Sequence, residues 1–284
     1  MMEAFQEFLN SSDLSENTIK GYTQSVNGYL KWFDESKGVS FTKLHRENMR
    51  EYISYLKTIE TVGPKTINTK LSGLVKFNEF LIHDNKQSDL VIEKSDFIKV
   101  QQQYASLSKV EFQDAEMFRQ LVLDSGKLRN YAIITVLAYG GLRISETLNL
   151  NTTDINLVSR EILIVDGKGD KSRTVFMGEK VKVALQSWLR ERKEKEIDCE
   201  FLFPSNRNRR LDRTVVNRLF NTYSAKIGKD ITPHDLRHFF CSNAIEKGMS
   251  IHEVANQAGH SNIHTTMLYT NPTKKQMLEK MNLL

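Results

Sequence analysis

The chain has 284 residues, of which 39% are hydrophobic and 26% charged. This composition fits a globular protein of two ordinary domains and argues against a disordered chain. Forty Lys and Arg against 35 Asp and Glu give a net charge of +5, which suits an anionic partner without identifying one. Cys199 and Cys241 lack the Cys and His spacing of a zinc site, so we expect two reduced, buried thiols.

Several function classes are disfavoured by what the sequence lacks. Its apolar runs fall short of the roughly 18 residues that a membrane helix needs, and its N-terminus has no charged segment followed by an apolar core. The glycines around Lys168 do not follow the Walker order, which argues against nucleotide binding. We expect a cytoplasmic protein with no membrane association, no metal and no cofactor.

Residues 1–85 have the apolar periodicity of one small all-helical unit. Its predicted helices run from Thr18 to Phe33 with Ser15 as the cap, from Arg46 to Leu56, and from Lys65 to about Ile82. Lys65, Lys70 and Lys76 lie away from the apolar stripe of the last helix. They could bind phosphate, or they could form an ordinary solvated helix face.

Residues 86–108 are polar and lose this periodicity, which predicts a linker. An extended segment of this length could wrap around a DNA duplex or act as a mere tether. A second, mostly helical domain is predicted over 109–284. Two of its segments, Glu161 to Val165 and Arg173 to Met177, have the pattern of a β-hairpin with a glycine-rich tip. The predicted helices of this domain lie at 109–123, 131–139, 179–193, 213–226, 233–247 and 251–258.

The stretch from Thr232 to Arg237 combines a capping residue, a proline suited to the first helical position and an acid placed to complete a capping box. It fixes His234 and Arg237 in the first turn of a helix, beside unpaired N–H groups that favour an oxyanion such as phosphate. The alternative is structural, with the arginine in a local ion pair and the histidine filling space.

Arg143 follows Gly140-Gly141-Leu142, where a buried helix ends and another begins. An arginine in apolar surroundings needs an anion. Glu146 could neutralise it in a structural pair, or could only orient it and leave it able to grip a phosphate. Lys168, at the hairpin tip, could donate a proton to a leaving oxygen or simply be exposed to solvent.

Ser250 to Glu253 has the capping-box pattern, and Gly259 is placed to end the helix that this box starts. His260 is then held on a short turn, and Tyr269 falls near the far end of the next short helix. A tyrosine at such a position ordinarily packs. As a nucleophile it would need cationic surroundings or a nearby base.

Taken in order, Arg143, Lys168, His234-x-x-Arg237, Gly259-His260 and Tyr269 resemble the tyrosine recombinase family over essentially the whole chain. The resemblance implies a mainly α fold, with a helical core-binding (SAM-like) domain over 1–85 and a mostly helical catalytic domain with a small β-hairpin over 109–284. The compact length is similar to that of the Xer-type group, and within it to the TnpI-type resolvases of some Tn3-family transposons.

The resemblance also assigns roles. Tyr269 would attack the scissile phosphate, forming a 3′-phosphotyrosyl bond and a free 5′-hydroxyl. The other implied roles are phosphate binding by Arg143, Arg237 and His260, proton transfer by His234 and Lys168, and support of Arg143 by Glu146. His238, His252 and His264 match no such role and are interpreted as structural.

The implied partner is double-stranded DNA with inverted core sites, bound by four protomers on two sites, with a monomer or weak dimer off DNA. An amphipathic tail from Thr273 to Leu284 would dock on a neighbouring protomer or on its own domain. The implied activity is site-specific recombination, which resolves cointegrates or multimers or moves a mobile element. A type IB topoisomerase and a catalytically inactive DNA-binding regulator are the alternatives.

Overall fold

The computed structural model describes residues 1–100, 109–165, 172–260 and 264–267. Contacts between Cα atoms divide the chain into two compact units, Met1–Gln102 and Gln103–Leu284. Helices dominate both units, and the strands in the described ranges form one small sheet. The predicted mainly α fold class is confirmed.

The first unit is a helical bundle in which the predicted helices are extended at their ends. Its helices are α1 (Met2–Asn10), α2 (Glu16–Lys37), α3 (Arg46–Thr58) and α4 (Pro64–His83). The Ser15 hydroxyl accepts a hydrogen bond from the Thr18 N–H, as its predicted capping role requires. The sequence pattern did not predict α1, which buries Phe5 completely and packs its ring 5.1 Å from that of Phe77.

The described part of the predicted linker is bound to the first unit. Gln87 is buried, and its amide group both accepts from and donates to the backbone of Leu44. The Asn68 side chain does the same for the backbone N–H and carbonyl of Ile98. The boundaries of 86–108 as a linker stay a prediction, but this segment is anchored to the bundle as far as Ile98.

The second unit is built around one buried central helix. Its elements are α5 (Phe112–Asp124), α6 (Leu128–Gly140), α7 (Ile144–Asn149), β1 (Ile155–Asn156), β2 (Glu161–Val165), β3 (Ser172–Phe176), α8 (Glu179–Glu194), α9 (Arg213–Ile227), α10 (Pro233–Glu246), α11 (Ile251–Ala258) and α12 (His264–Met267). Every residue of α6 from Ala132 to Ala138 is buried, because α5, α8 and α10 pack around it. The helix predicted over 131–139 is therefore present and lies in the core of this unit.

The sheet confirms the predicted hairpin and adds a strand to it. β1, β2 and β3 are antiparallel in that order, and Ile164 of β2 lies opposite Arg173 of β3. Ile162 and Val175 are fully buried on the face that packs against the helices. The hairpin tip, 166–171, contains Lys168 and lies outside the described residues.

The cysteines, metal ligands and membrane spans can be compared with the sequence expectations only over the described ranges. Both cysteines are free; Cys241 is buried as expected, but Cys199 is partly exposed. Across these ranges no group of three or more His, Cys, Asp or Glu side chains is placed to hold a metal ion. None of the helices described is long and apolar enough to cross a bilayer.

Candidate active site

The turn between α6 and α7 brings Arg143 towards α10. Gly141 has a φ of +71°, and a Cβ at this position would lie 2.5 Å from Cε1 of Phe240. Glycine is therefore required both by the backbone conformation and by the close approach of the turn to α10. This approach brings the Gly141 carbonyl within hydrogen-bonding distance of Arg237.

Arg237 lies in the interior, one turn into α10. The capping box predicted for this helix is formed, since Thr232 Oγ1 accepts from the Asp235 N–H and the Asp235 carboxylate accepts from the Thr232 N–H. Arg237 is only 5% exposed, and its Nη1 donates to the Gly141 carbonyl at 2.7 Å. Burial, and then the charge of Arg143, lower the pKa of Arg237 to about 10, so it is cationic at neutral pH.

The predicted alternative of a local ion pair for Arg237 is not what the structure contains. Among the described residues no carboxylate lies within salt-bridge distance of its guanidinium, which donates instead to the neutral carbonyl of Gly141. A buried arginine charge held by a neutral group is electrostatically suited to an incoming anion.

Glu146 is the carboxylate around which two arginines assemble. Its side chain is 10% exposed and accepts hydrogen bonds of 2.7 Å from both the backbone N–H and Nη1 of Arg143. Arg173 donates to the same carboxylate through Nη1 at 3.0 Å and Nη2 at 2.9 Å. Burial raises the pKa of Glu146, but the hydrogen bonds from Arg173 and Arg143 outweigh it and lower the pKa overall. Shared in this way, one carboxylate orients Arg143 without neutralising both guanidinium groups.

The second nitrogen of the Arg143 fork is held by the end of α11. Nη2 donates to the Gly259 carbonyl at 2.6 Å, while 42% of the Arg143 side chain remains exposed. The guanidinium is thus fixed by Glu146 on one side and by Gly259 on the other, and it can still be reached from outside.

His260 follows the predicted helix stop. Ser250 and Glu253 form the expected capping box of α11, and Gly259 ends the helix with a φ of +67°. His260 Nδ1 lies 2.7 Å from Oγ1 of the buried Thr266. Burial, followed by Arg237 and Arg143, lowers the pKa of His260 to about 4, so its imidazole is neutral at neutral pH.

His234 contacts another histidine rather than filling a cavity. It is exposed at the start of α10, and its Nε2 lies 2.7 Å from Nε2 of His238, with the ring centroids 4.1 Å apart. Burial and His234 lower the pKa of His238 to about 4. The sequence pattern predicted only a structural role for His238, but the structure brings it against a predicted catalytic side chain.

Four of the six predicted catalytic residues can be located, together with Glu146. Arg143, Arg237 and His260 come together through Gly141, Glu146 and Gly259. His234 lies on α10 with Arg237 and contacts His238 of the same helix. The hairpin lysine Lys168 and the tyrosine Tyr269 lie outside the described residues, as does the tail from Thr273.

The predicted lysines on α4 differ in their surroundings. Lys65 is exposed and Lys70 is half-buried, whereas Lys76 forms an ion pair of 2.6 Å with Glu79. The structure thus gives Lys76 a local carboxylate partner, as the solvated-face alternative allows.

A basic segment that the sequence patterns did not single out, residues 206–218, runs from the loop before α9 into that helix. Five of its arginines are exposed, and none forms a salt bridge with another described residue: Arg207, Arg209, Arg210, Arg213 and Arg218. The run Asn206 to Arg210 could have revealed it, because it carries three arginines in five residues with no acid among them.

Residues 109–276 match the phage integrase family, and residues 1–85 match the N-terminal SAM-like domain of phage integrases. The chain belongs to the phage integrase family. The match covers more than half of the chain, and it confirms both the resemblance based on the motifs and the SAM-like character of the N-terminal domain.

The similar proteins agree with this membership. The "TnP I resolvase" of Bacillus thuringiensis is 52% identical over 282 residues, which cover 99% of this chain and 98% of the relative. The tyrosine recombinase XerD of Oceanobacillus iheyensis is 30% identical over 287 residues, covering 97% and 95%. The Tn1549 transposon integrase, solved in complex with a circular intermediate DNA, has the same fold, with a TM-score of 0.73 at 20% identity and coverage of 100% and 99%. The chain is accordingly a tyrosine site-specific recombinase, and nothing favours the topoisomerase or regulator alternatives.

Proposed function

We propose that this recombinase cleaves and rejoins DNA at specific sites through a covalent bond between Tyr269 and a 3′-phosphate. The observation that carries the proposal is the excess of positive charge at the site. Arg143, Arg173 and Arg237 are cationic, whereas Glu146 is the one carboxylate that lies among them in the described part of the chain. A phosphodiester would supply the missing negative charge, and guanidinium groups suit its geometry.

In this proposal Arg143 and Arg237 bind the non-bridging oxygens of the scissile phosphate. Both guanidinium groups are pre-oriented by carbonyl oxygens, those of Gly259 and Gly141. Charge that develops on these oxygens during attack then meets donors that need no reorganisation, an effect worth roughly 3–4 kcal/mol per donor in comparable sites.

His260 would donate a hydrogen bond to the phosphate as a neutral imidazole. We assign the Thr266 hydroxyl as the donor to Nδ1, which leaves the ring hydrogen on Nε2. The low pKa of His260 supports this form, since burial, and then the surrounding arginines, disfavour a positive charge on the imidazole.

The covalent step follows the roles that the family resemblance implies. The Tyr269 oxygen attacks phosphorus with His234 assisting removal of its proton, the bond from phosphorus to the 5′-oxygen breaks, and Lys168 protonates the leaving 5′-oxygen. A 5′-hydroxyl from a second strand reverses these steps and restores a phosphodiester. No external energy source is required, because the phosphotyrosyl bond conserves the energy of the cleaved bond.

Double-stranded DNA is the proposed substrate, since the Tn1549 integrase of the same fold was solved with DNA. The exposed arginines of the basic segment 206–218, with Lys65 and Lys70 of α4, would contribute non-specific phosphate contacts. By analogy with the family, four protomers act on two inverted core sites, with the tail from Thr273 docked on a neighbour, and the enzyme is a monomer or weak dimer off DNA. Resolution of transposon cointegrates in the cytoplasm is the proposed setting, given the 52% identical resolvase.

A nicked suicide substrate tests this function. DNA sites are first selected from a random pool by binding to the wild-type protein, and a nick next to the scissile phosphate lets the cleaved fragment diffuse away. We expect the wild type to form an adduct that survives denaturation and Tyr269→Phe to form none. Tyr223→Phe, on α9 of the same unit, is the control and should form the adduct. Absence of adduct with the wild type on a selected site would favour the regulator, whereas relaxation of supercoils without such sites would favour the topoisomerase.

A further inference from the structure

Arg173 is the second residue of β3, and its guanidinium lies beside that of Arg143. It binds both oxygens of Glu146, at 3.0 and 2.9 Å, and its Nη2 also lies 3.4 Å from the Ala258 carbonyl. Its side chain is 22% exposed. A residue predicted only as the beginning of a strand therefore contacts two of the elements that form the candidate phosphate site.

Gly259 is shaped around this guanidinium. A Cβ at position 259 would lie 2.7 Å from both Nε and Nη1 of Arg173, closer than real Cβ contacts allow. The planar group thus rests directly against the backbone whose carbonyl receives Nη2 of Arg143. Arg173, Glu146, Arg143 and Gly259 form a closed ring of contacts that joins β3, α7, the α6–α7 turn and the end of α11.

The distribution of hydrogen bonds in this ring determines how Arg143 is held. Arginine and a carboxylate prefer a fork with two parallel hydrogen bonds. Arg173 already occupies both Glu146 oxygens, so the Arg143 side chain makes one bond to Oε1 and turns its Nη2 to the Gly259 carbonyl. Without Arg173, Glu146 would be available to pair fully with Arg143 and draw it away from Gly259.

The position of Arg173 also has an energetic cost. Its Nε is buried and has no hydrogen-bond partner among the described residues. An unsatisfied buried donor is unfavourable, because the group has lost its hydrogen bonds to water without gaining a protein partner. If Arg173 served only to stabilise the fold, a position in which Nε has a hydrogen-bond partner would be more stable. A guanidinium that lies flat against Gly259 leaves Nε without such a partner.

We propose that Arg173 is a positioning residue for phosphate binding: by occupying both oxygens of Glu146 and packing on Gly259, it holds Arg143 in the orientation that grips the scissile phosphate. This inference rests on the proposed function. Arg173 itself does not touch the phosphate.

A second contact between β3 and α11 allows the effect of the Arg173 side chain on the site to be distinguished from the effect of holding β3 against α11. The Gln257 amide accepts from the Phe176 N–H at 3.1 Å and donates to the Phe176 carbonyl at 2.8 Å, so it also ties β3 to α11. Gln257→Leu removes this attachment, together with a longer hydrogen bond of 3.4 Å from Gln257 Nε2 to the Gly140 carbonyl, but it removes no bond to Glu146. It should therefore slow cleavage far less than Arg173→Gln.

The test compares cleavage of two nicked suicide substrates in single-turnover reactions, one with a normal scissile phosphodiester and one with a neutral methylphosphonate. Because the methylphosphonate lacks the charged non-bridging oxygen, its cleavage depends less on the position of Arg143. Each variant is compared with wild type on the same substrate. We expect Arg173→Gln to slow phosphodiester cleavage by about 100-fold, the effect of losing one oxyanion donor, and methylphosphonate cleavage by less than about 10-fold. Arg173→Lys, which keeps the charge but loses the fork, should show the same selectivity with a smaller loss.

Arg192→Lys is the matched control for removal of a buried arginine. Arg192 is 6% exposed and donates to the carbonyls of Cys199, Phe201 and Leu202, away from the ring of contacts around Glu146. Arg192→Lys should change the cleavage rates of both substrates by the same factor. The inference would be overturned if Arg173→Gln and Arg173→Lys each lowered the cleavage rate of both substrates by the same factor. It would also be overturned if both variants cleaved at the wild-type rate. Failure of the wild type to cleave the phosphodiester would instead overturn the proposed function.

Discussion

Arg143 Nη2 donates a hydrogen bond of 2.6 Å to the carbonyl oxygen of Gly259, 116 residues further along the chain. This bond connects the turn that carries the first predicted phosphate-binding arginine to the turn that carries His260. Both partners depend on tight backbone geometry, at Gly141 and Gly259. We therefore expect the site to be sensitive to small changes at the end of α11.

Gly259→Ala should impair both stability and cleavage. The left-handed backbone costs a non-glycine residue about 1–2 kcal/mol, and the new Cβ would also displace Arg173. Urea unfolding and the rate of adduct formation measure the two effects. Gly228→Ala is the control, because Gly228 ends α9 with a φ of +75° and a Cβ there would meet no other described atom within 4 Å. It should lose similar backbone stability but retain cleavage, and equal cleavage losses in the two variants would contradict this account.

Arg237→Lys should abolish most cleavage while DNA binding changes little. A lysine has no second rigid nitrogen with which to bind a phosphate oxygen while donating to the Gly141 carbonyl. We expect adduct formation to fall by about 100-fold or more, with site affinity within about threefold in gel-shift titrations. Arg190→Lys, at an exposed arginine paired with Glu194, should retain the wild-type rate. A parallel loss of affinity and cleavage would show that Arg237 serves general binding.

Stability should decrease as the pH falls from about 6.5 to about 4. The pKa of His260 and that of His238 are lowered from 6.5 to about 4, chiefly by burial. In this window the unfolded chain binds more protons than the folded one, so the free energy of unfolding rises with pH. Urea unfolding at pH 4.5 and pH 7 should show a smaller difference for His260→Asn than for wild type. His252→Asn, at an exposed histidine of α11, should match wild type.

Replacing the arginines before α9 should weaken DNA binding through electrostatics. The triple variant Arg207→Ser, Arg209→Ser, Arg210→Ser should have a lower affinity and a shallower dependence on salt, by about 0.9 in log–log slope for each phosphate that the variant no longer neutralises. The control replaces three basic residues that already pair with carboxylates: Lys31, Arg190 and Lys195. Titrations at several salt concentrations measure both slopes, and identical slopes for the two triple variants would exclude DNA binding by this segment.

The features that the sequence predicted correctly depend on residues close together in the chain. The capping boxes begun by Thr232 and Ser250 and the helix stop at Gly259 depend on residues a few positions apart, and all are formed as predicted. These helix ends determine where Arg237 and His260 lie. The pairing of Arg143 with Glu146 is also local and was predicted, although not that the acid is shared.

The features that the sequence did not predict depend on contacts between residues far apart in the chain. Arg173 reaches Glu146 across 27 residues and Ala258 across 85, so no short pattern reveals that it belongs to the site. The failure to predict α1 has the same cause, since Phe5 is buried by packing against Phe77 of α4. The contact between His234 and His238 was within reach, because residues four apart share a helix face.

Peptide mapping of the covalent adduct tests the central claim most directly. The adduct on a nicked suicide substrate is digested with nuclease and trypsin, and the site of the attached nucleotide is located by mass spectrometry. We expect one modified peptide, carrying the nucleotide on Tyr269, and a released strand whose 5′-hydroxyl is labelled by polynucleotide kinase without prior phosphatase treatment. A nucleotide on any other residue, or a released strand ending in a 5′-phosphate, would contradict the account.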